Sequence, residues 1–564
     1  MQKRTFLKLA AGTMALAAGC LAENRKISPD LKNPGPAVNT DIIVQYQRAP
    51  NEADHQNVQA HGGTKKADLP LLKGALYSVP TKALDALANN PNIVYISPNR
   101  QNGGFLDVTA PTVNAPAAWQ SNLNGAGIGV AVLDSGIVAL DDFNNANSTT
   151  SRIVYSEDFT GSGSTTDGFG HGTHVAGVIA GNGTISAGVY KGIAPNAQII
   201  NLRVLDSNGV GYDSNIVAGI NRAIQLKTQY NIRVMNVSLG RPVFESYQLD
   251  PLCQALESAW LAGITVVVAA GNNGRDNSQN TNGYATIEAP GNDPYVITVG
   301  AMKTMGTITR TDDLIASYSS KGPTLLDHIV KPDLLAPGNV IASTLSKSTE
   351  LYGLYPGNQV YLSSYTGTGS SNWSPLYYKL SGTSMAAPVV SGAAAILLQK
   401  TPGLTPDQVK ARLMKTATKS FPVSSTAVDP NTGISYTSQY DIFTVGAGYL
   451  DIGAALANTD LYPAGSSALS PTATYDSVSG NVYISSGSSA AWGSSAAWGS
   501  SAVWGSSVLL NTSAAWGSSA AWGSSAAWGS STAVGFNVVW GSSAAWGSST
   551  NSASALTAAI AGEP

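Results

Sequence analysis

The run Gly129-Val130-Ala131-Val132-Leu133-Asp134-Ser135-Gly136-Ile137 decides the fold. Its first five residues are apolar or small without a polar break. Such a run reads as a strand buried on both faces, as in a parallel sheet with helices on either side. The strand ends in a carboxylate followed by a small turn. Carboxyl ends of parallel strands are where such sheets place chemistry. Taken alone, Asp134 is equally a turn or helix-capping residue.

Similar runs follow at Ala197–Val204, Val234–Ser238 and Thr265–Ala270. Helix-like stretches alternate with them at His171–Gly181, Asn215–Thr228 and Pro251–Ala262. The alternation predicts an α/β domain over residues 105–458, a doubly wound and mostly parallel sheet.

Three more motifs sit far apart in the chain. Asp167-Gly168-Phe169-Gly170-His171-Gly172-Thr173-His174 opens a helix of small residues. A zinc site at His171 and His174 would need a third ligand and a nearby acid, and the chain holds only 5 His. Ala269-Ala270-Gly271-Asn272-Asn273-Gly274 follows a strand, where a side-chain amide could donate to a developing oxyanion. Leu380-Ser381-Gly382-Thr383-Ser384-Met385-Ala386-Ala387-Pro388 leads into a long apolar helix. Its N-terminus would bring backbone N–H groups and partial positive charge beside Ser384. A lone Ser there also fits a simple helix cap.

Composition narrows the function. The chain has 564 residues, 31 Lys+Arg, 34 Asp+Glu and a net charge of -3. That balance argues against a nucleic-acid partner. A hydrophobic share of 43% excludes global disorder. The 2 Cys, Cys20 and Cys253, make no disulfide framework. Cys253 reads as a small buried hydrophobe.

Together the four motifs resemble the subtilisin-like serine proteases, the subtilase family, across residues 105–458. The order Asp134, His171, Ser384 is that of subtilisin. The resemblance implies a serine endopeptidase in which Ser384 is the nucleophile, His171 the general base and Asp134 its orienting partner. It implies an oxyanion hole of Asn272 and the Ser384 backbone N–H. It also implies that Ser238, Leu239 and Gly240 form one edge of a cleft and Gly209, Val210 and Gly211 the other. Neighbouring residues suggest a broad, apolar-leaning preference. No cofactor is implied for the chemistry. A structural calcium is in keeping with the family, with Asp141, Asp142 and the loop Asn182–Ser186 as contributors and no ligand fixed.

The rest of the chain divides around this block. Residues 1–20 carry a basic start, a short apolar run and small residues, the pattern of a signal peptide. Lys3-Arg4-Thr5-Phe6-Leu7-Lys8 resembles a twin-arginine signal, and Ala17-Ala18-Gly19-Cys20 a lipoprotein cleavage box with Ala17 in the usual Leu place. The expectation is a secreted or cell-surface protein, with lipid attachment at Cys20 as one route. No later stretch is long and apolar enough for a transmembrane helix. Residues 21–40 read as a linker. Residues 41–104 resemble the propeptide of these proteases, an inhibitory partner cut away between about 100 and 107. Residues 345–379 read as an inserted loop or hairpin, and residues 459–481 as a second linker.

Residues 482–549 repeat Ala-Ala-Trp-Gly-Ser-Ser with period six, and 550–564 form a tail. Trp492, Trp498, Trp504, Trp516, Trp522, Trp528, Trp540 and Trp546 share one register, with Leu510 and Val534 in its gaps. Six is even, so a strand would turn every Trp to one face, and it is also the step of hexapeptide β-helices. Stacked inside, these rings are core. Left open, they are a contact surface for a cell surface or polysaccharide. A scaffold protein on an inactive protease fold, working through this tract, is the competing reading.

Overall fold

The computed structural model describes residues 26–28, 31, 39–70, 73–98, 108–278, 281–367, 370–429, 432–461, 467–476, 481–485, 508–510 and 562–563. The chain divides into two units, one up to Gly103 and one from Gly104. The signal-peptide residues, Cys20 and the expected processing point at 100–107 lie outside the described residues.

In the first unit, strands β1 (Asn39–Tyr46), β2 (Thr64–Leu69), β3 (Gly74–Pro80) and β4 (Ile93–Pro98) form an antiparallel sheet in the order β2-β3-β1-β4. Ile42, Val44 and Tyr46 alternate inward along β1 and meet Val58, Tyr77, Val79, Leu87 and Ile96 in one core. Two elements here escape the sequence patterns. Helix Glu52–Ala60 offers only Val58 as a buried aliphatic, and a capping box between Asn51 and Asp54 sets its start. Strand β2 is an edge rich in Lys65 and Lys66. The linker expected at 21–40 is corrected in part: Ile27 bridges Ile96, and Ile27 and Leu31 join this unit's core.

The second unit carries the large sheet. Its strands are β5 (Gly129–Asp134), β6 (Ile153–Asp158), β7 (Gln198–Arg203), β8 (Ile232–Val237), β9 (Thr265–Ala269), β10 (Ile297–Lys303), β11 (Leu314–Ile315) and β12 (Leu334–Pro337). The order is β11-β10-β9-β8-β5-β7-β6, with β12 beside β10. All these pairings are parallel except β10 with β11. Every residue of β5, β9 and β10 is buried, which is why their sequences do not alternate. Helices His171–Ala180 and Thr383–Lys400 pack on each other and on the sheet, and Asp213–Leu226 and Pro251–Leu261 form another such pair. Strand β5 lies between β7 and β8. Crossovers therefore depart from it in opposite directions, and a crevice opens beyond its carboxyl end.

The stretch 345–379 is ordered around a small antiparallel sheet, β13 (Ile341–Thr344), β14 (Gln359–Tyr361) and β15 (Trp373–Leu380). A hairpin of β16 (Ser424–Val428) and β17 (Ser435–Gln439) follows. Residues 459–481, expected as a linker, are partly fastened down. The Ser470 N–H donates to the Pro294 carbonyl at 3.0 Å and the Ala473 N–H to that of His328 at 2.8 Å, and both Ala468 and Ala473 are buried. Strand β18 (Thr472–Asp476) pairs with β19 (Asn481–Ser485), which pairs with β20 (Val508–Leu510). The Trp register of the repeat tract lies outside the described residues. No helix among the described residues is long and apolar enough to cross a membrane.

Candidate active site

The carboxylate at the end of β5 and the first residue of helix His171–Ala180 meet directly. Asp134 is 1% exposed, and its Oδ1 and Oδ2 stand 2.8 Å and 3.0 Å from His171 Nδ1. This close approach depends on Gly172. A Cβ there would lie 2.3 Å from the Gly136 carbonyl oxygen and 3.0 Å from Asp134 Cβ. Burial pushes the His171 pKa down, but the charge and hydrogen bond of Asp134, with Asp167 behind, outweigh it and leave a net rise. His174 behaves in the opposite way. Burial and the nearby His171 lower it to about 3. As a neutral ring it donates from Nε2 to the Ile341 and Tyr378 carbonyls, at 3.0 Å and 3.2 Å, tying the helix to β13 and β15.

Asp167 was in view in the sequence but without a task. Buried, it accepts from the N–H groups of Phe169, Gly170 and Thr173, and from the hydroxyls of Thr173 and Ser135. It thereby satisfies the first turn of the histidine helix, whose N-cap, Gly170, offers no side chain.

Ser384 is the second residue of helix Thr383–Lys400, after Gly382 at φ +140°. Thr383 locks this helix start to the loop after β9. Its hydroxyl accepts from the Gly271 N–H at 3.1 Å and donates toward the Gly271 carbonyl at 3.2 Å, while its N–H donates to Asn272 Oδ1 at 2.9 Å. With its oxygen engaged, the Asn272 amide has Nδ2 left for the cavity it lines. On the other side, the Ser238 hydroxyl donates to the Ser384 carbonyl at 2.9 Å.

A cavity of about 590 Å³ brings His171, Asn272 and Ser384 together with both expected cleft edges, Gly209, Val210, Gly211 and Ser238, Leu239, Gly240. Glu288 is among the lining residues that carry no sequence signal. Its Oε1 accepts from Asn273 Nδ2 at 2.6 Å, and its Oε2 would lie 2.8 Å from a Cβ on Gly240. Burial raises its pKa, and the Asn273 bond opposes that rise. The cavity's one cation, Arg241, is committed to Asp213 at 2.8 Å and Asp250 at 2.9 Å. The wall behind Gly240 therefore carries a carboxylate without a cationic partner among the described residues.

The residues considered for calcium are engaged by donors of the protein itself. Asp142 accepts from the Ile185 N–H at 2.8 Å and the Tyr377 hydroxyl at 2.5 Å, and the Arg152 guanidinium donates to its carbonyl at 2.7 Å. Asp141 accepts from Asn144. Donor groups thus engage both carboxylate oxygens of Asp142 and one of Asp141, and no cluster of three metal-ligating side chains occurs among the described residues.

Known proteins similar to this chain point to one family. The model of the subtilase family matches residues 125–437. That of the fervidolysin N-terminal prodomain matches residues 30–99. The chain is 37% identical over 347 residues to serine protease AprX of Bacillus subtilis strain 168, covering 60% of this chain and 72% of that one. It is 36% identical over 309 residues to subtilisin DY of Bacillus licheniformis, covering 55% and 90%. It is 34% identical over 379 residues to the extracellular serine proteinase of Thermus sp. strain Rt41A, covering 64% and 74%.

Proposed function

The chain belongs to the subtilase family of serine peptidases, and from that premise we propose an exported endopeptidase, made as a self-processing zymogen, that favours a basic side chain before the scissile bond. Subtilases need no cofactor for catalysis. The observation that carries the catalytic reading is the 2.8 Å contact between His171 and Asp134 on the same cavity as Ser384 and Asn272.

An extended peptide lies between the edges Gly209–Gly211 and Ser238–Gly240 as an added strand. Ser384 Oγ attacks the scissile carbonyl, and its proton passes to His171 Nε2. Asp134 holds Nδ1–H and stabilises the imidazolium. The carbonyl oxygen, now negative, takes hydrogen bonds from Asn272 Nδ2 and the Ser384 N–H at the positive end of its helix. The tetrahedral centre collapses, His171 gives its proton to the leaving amine, and an acyl-enzyme remains. Water then repeats the sequence and frees Ser384.

The side chain before the scissile bond enters the pocket behind Gly240, where Glu288 offers its carboxylate to a guanidinium or ammonium group. The apolar-leaning preference read from the neighbouring residues gives way to this charge. Export rests on the first 20 residues, and the zymogen on the prodomain match.

The test is casein hydrolysis by wild type beside Ser384→Ala, with N-terminal sequencing and intact mass of both. Wild type should cleave and begin near Phe105, while the variant stays inert and keeps its pro-unit. Equal inactivity of both, with binding of a polysaccharide through the repeats, would establish the scaffold reading instead.

A further inference from the structure

Three residues beyond Asn272, the same loop carries a side chain that catalysis does not use. The Arg275 guanidinium is 2% exposed. Its Nε donates to Ser317 Oγ at 2.7 Å, its Nη1 to Asp429 Oδ2 at 2.8 Å, and its Nη2 to Glu563 Oε1 at 2.9 Å. Glu563 comes from beyond the repeat tract, yet its side chain is 1% exposed. The Ser317 N–H donates to the same oxygen at 3.0 Å, the Ser317 hydroxyl bonds it as well, and Lys303 Nζ stands 3.3 Å from Oε2.

The backbone is read too. Asn339 Nδ2 donates to the Glu563 carbonyl at 2.9 Å, and the Glu563 N–H donates to Asn339 Oδ1 at 2.8 Å. Gly562 has φ +89°, and a Cβ on it would lie 2.4 Å from Val340 Cγ2 and 2.8 Å from Ser381 Oγ. Any other residue would be strained there and would collide. The pocket thus selects a glycine by space and backbone conformation, then a glutamate by charge. A carboxylate held by two cations and two further donors is a built recognition site, since a buried charge persists only when it is paired.

We propose that this pocket is a docking site for a Gly-Glu segment, occupied by the chain's own Gly562–Glu563. The stretch 486–561, which holds most of the repeats, is then fastened to the catalytic unit at both ends. One end is the strand pair β18–β19, anchored through the bridge of Thr472 to Ile329, and the other is Glu563. A single cut among the repeats leaves the tract attached.

The test uses the full chain with Ser384→Ala, so that it cannot digest itself, and with a recognition sequence for a site-specific protease inserted after Thr550. After cutting, size-exclusion chromatography with mass spectrometry follows the released segment. The wild-type segment should co-elute with the catalytic unit. Segments carrying Glu563→Gln or Gly562→Val should dissociate at least tenfold faster. Glu563→Gln removes the carboxylate that faces buried Arg275 and Lys303, so the Tm of each uncut protein is measured alongside, and equal Tm values assign the faster release to the segment itself. Separation of the wild-type segment as readily as the variants overturns the proposal. So does retention of all three alike, because the Gly-Glu contacts would then not be what holds it.

Discussion

Replacing Glu288 by Gln tests the specificity pocket with little change of shape. The amide can still accept from Asn273 Nδ2, now 2.6 Å from Oε1, and it fits the space that Gly240 leaves open. What is lost is the charge. A hydrogen bond to a charged group contributes about 1.5–3 kcal/mol, and 1.36 kcal/mol is tenfold in rate, so the loss is about 10–150-fold. The assay is kcat/KM for peptide anilides that differ only in the residue before the scissile bond: Arg, Lys, Leu and Phe. Wild type should prefer Arg and Lys. Glu288→Gln should lose about 10–150-fold on Arg while Leu changes by about twofold or less. The pH dependence has a definite sign. Burial raises the Glu288 pKa, so the carboxylate is ionised above that raised value and neutral below it. The Arg-to-Leu ratio of wild type should therefore fall as pH drops through it, and that of the Gln variant should not follow. A wild-type ratio below one, or a ratio unmoved by the substitution, would refute the reasoning.

Further outcomes follow from the same geometry. Thr383→Val removes the hydroxyl that joins the helix start to Gly271, two neutral bonds of about 0.5–1.5 kcal/mol each. In steady-state assays kcat should fall about tenfold with KM nearly constant, whereas Asn272→Ala should cost on the order of 10²–10³ in kcat, the range known for subtilisin itself. The raised His171 pKa places the acid limb of the kcat/KM profile above the ordinary value of 6.5. Asp134→Asn removes the two largest effects that raise it, so the limb should move to lower pH while kcat drops on the order of 10⁴. Asp333 is fully buried between Lys331 at 2.7 Å and Lys410 at 3.3 Å, both buried themselves. Asp333→Ala strands both ammonium groups and should destabilise the fold by about 3–5 kcal/mol, read as a large drop in Tm.

Legibility of the sequence tracked how local each physical cause was. Strands β5 and β9 announce themselves because both faces are buried and their apolar runs are unbroken, whereas β10, equally buried, carries Thr298 and Lys303 and gives no such run. The four motifs are readable because each concentrates glycine and one reactive residue where strands end and helices begin. Glu288 was not readable. Its neighbour in space, Gly240, is distant in the chain, and no local pattern marks a carboxylate that faces a cavity. Thr383 carries no local signal, since its bonds run to Gly271 and Asn272, which only folding brings near. Helix Glu52–Ala60 was missed because a single buried Val58 carries no period, and its capping box acts on the backbone.

The small-residue composition takes on a different meaning once these contacts are known. With 59 Gly and only 12% charged residues, the chain suggests no more than an exported protein. In the fold, glycines set distances. Gly172 lets the histidine helix reach Asp134. Gly177 leaves room for Ser343 and Thr344, each of whose side-chain oxygens would lie 2.3 Å from a Cβ there. Gly392 does the same for Ile193 beneath the serine helix, at 2.5 Å. The histidine and serine helices thus approach the structures around them through missing side chains. A rigid site needs this, because a general base displaced by even about 1 Å loses on the order of 10²-fold in rate. The glycine content therefore belongs to the mechanism, since close approach at these positions fixes where His171 and Ser384 can stand.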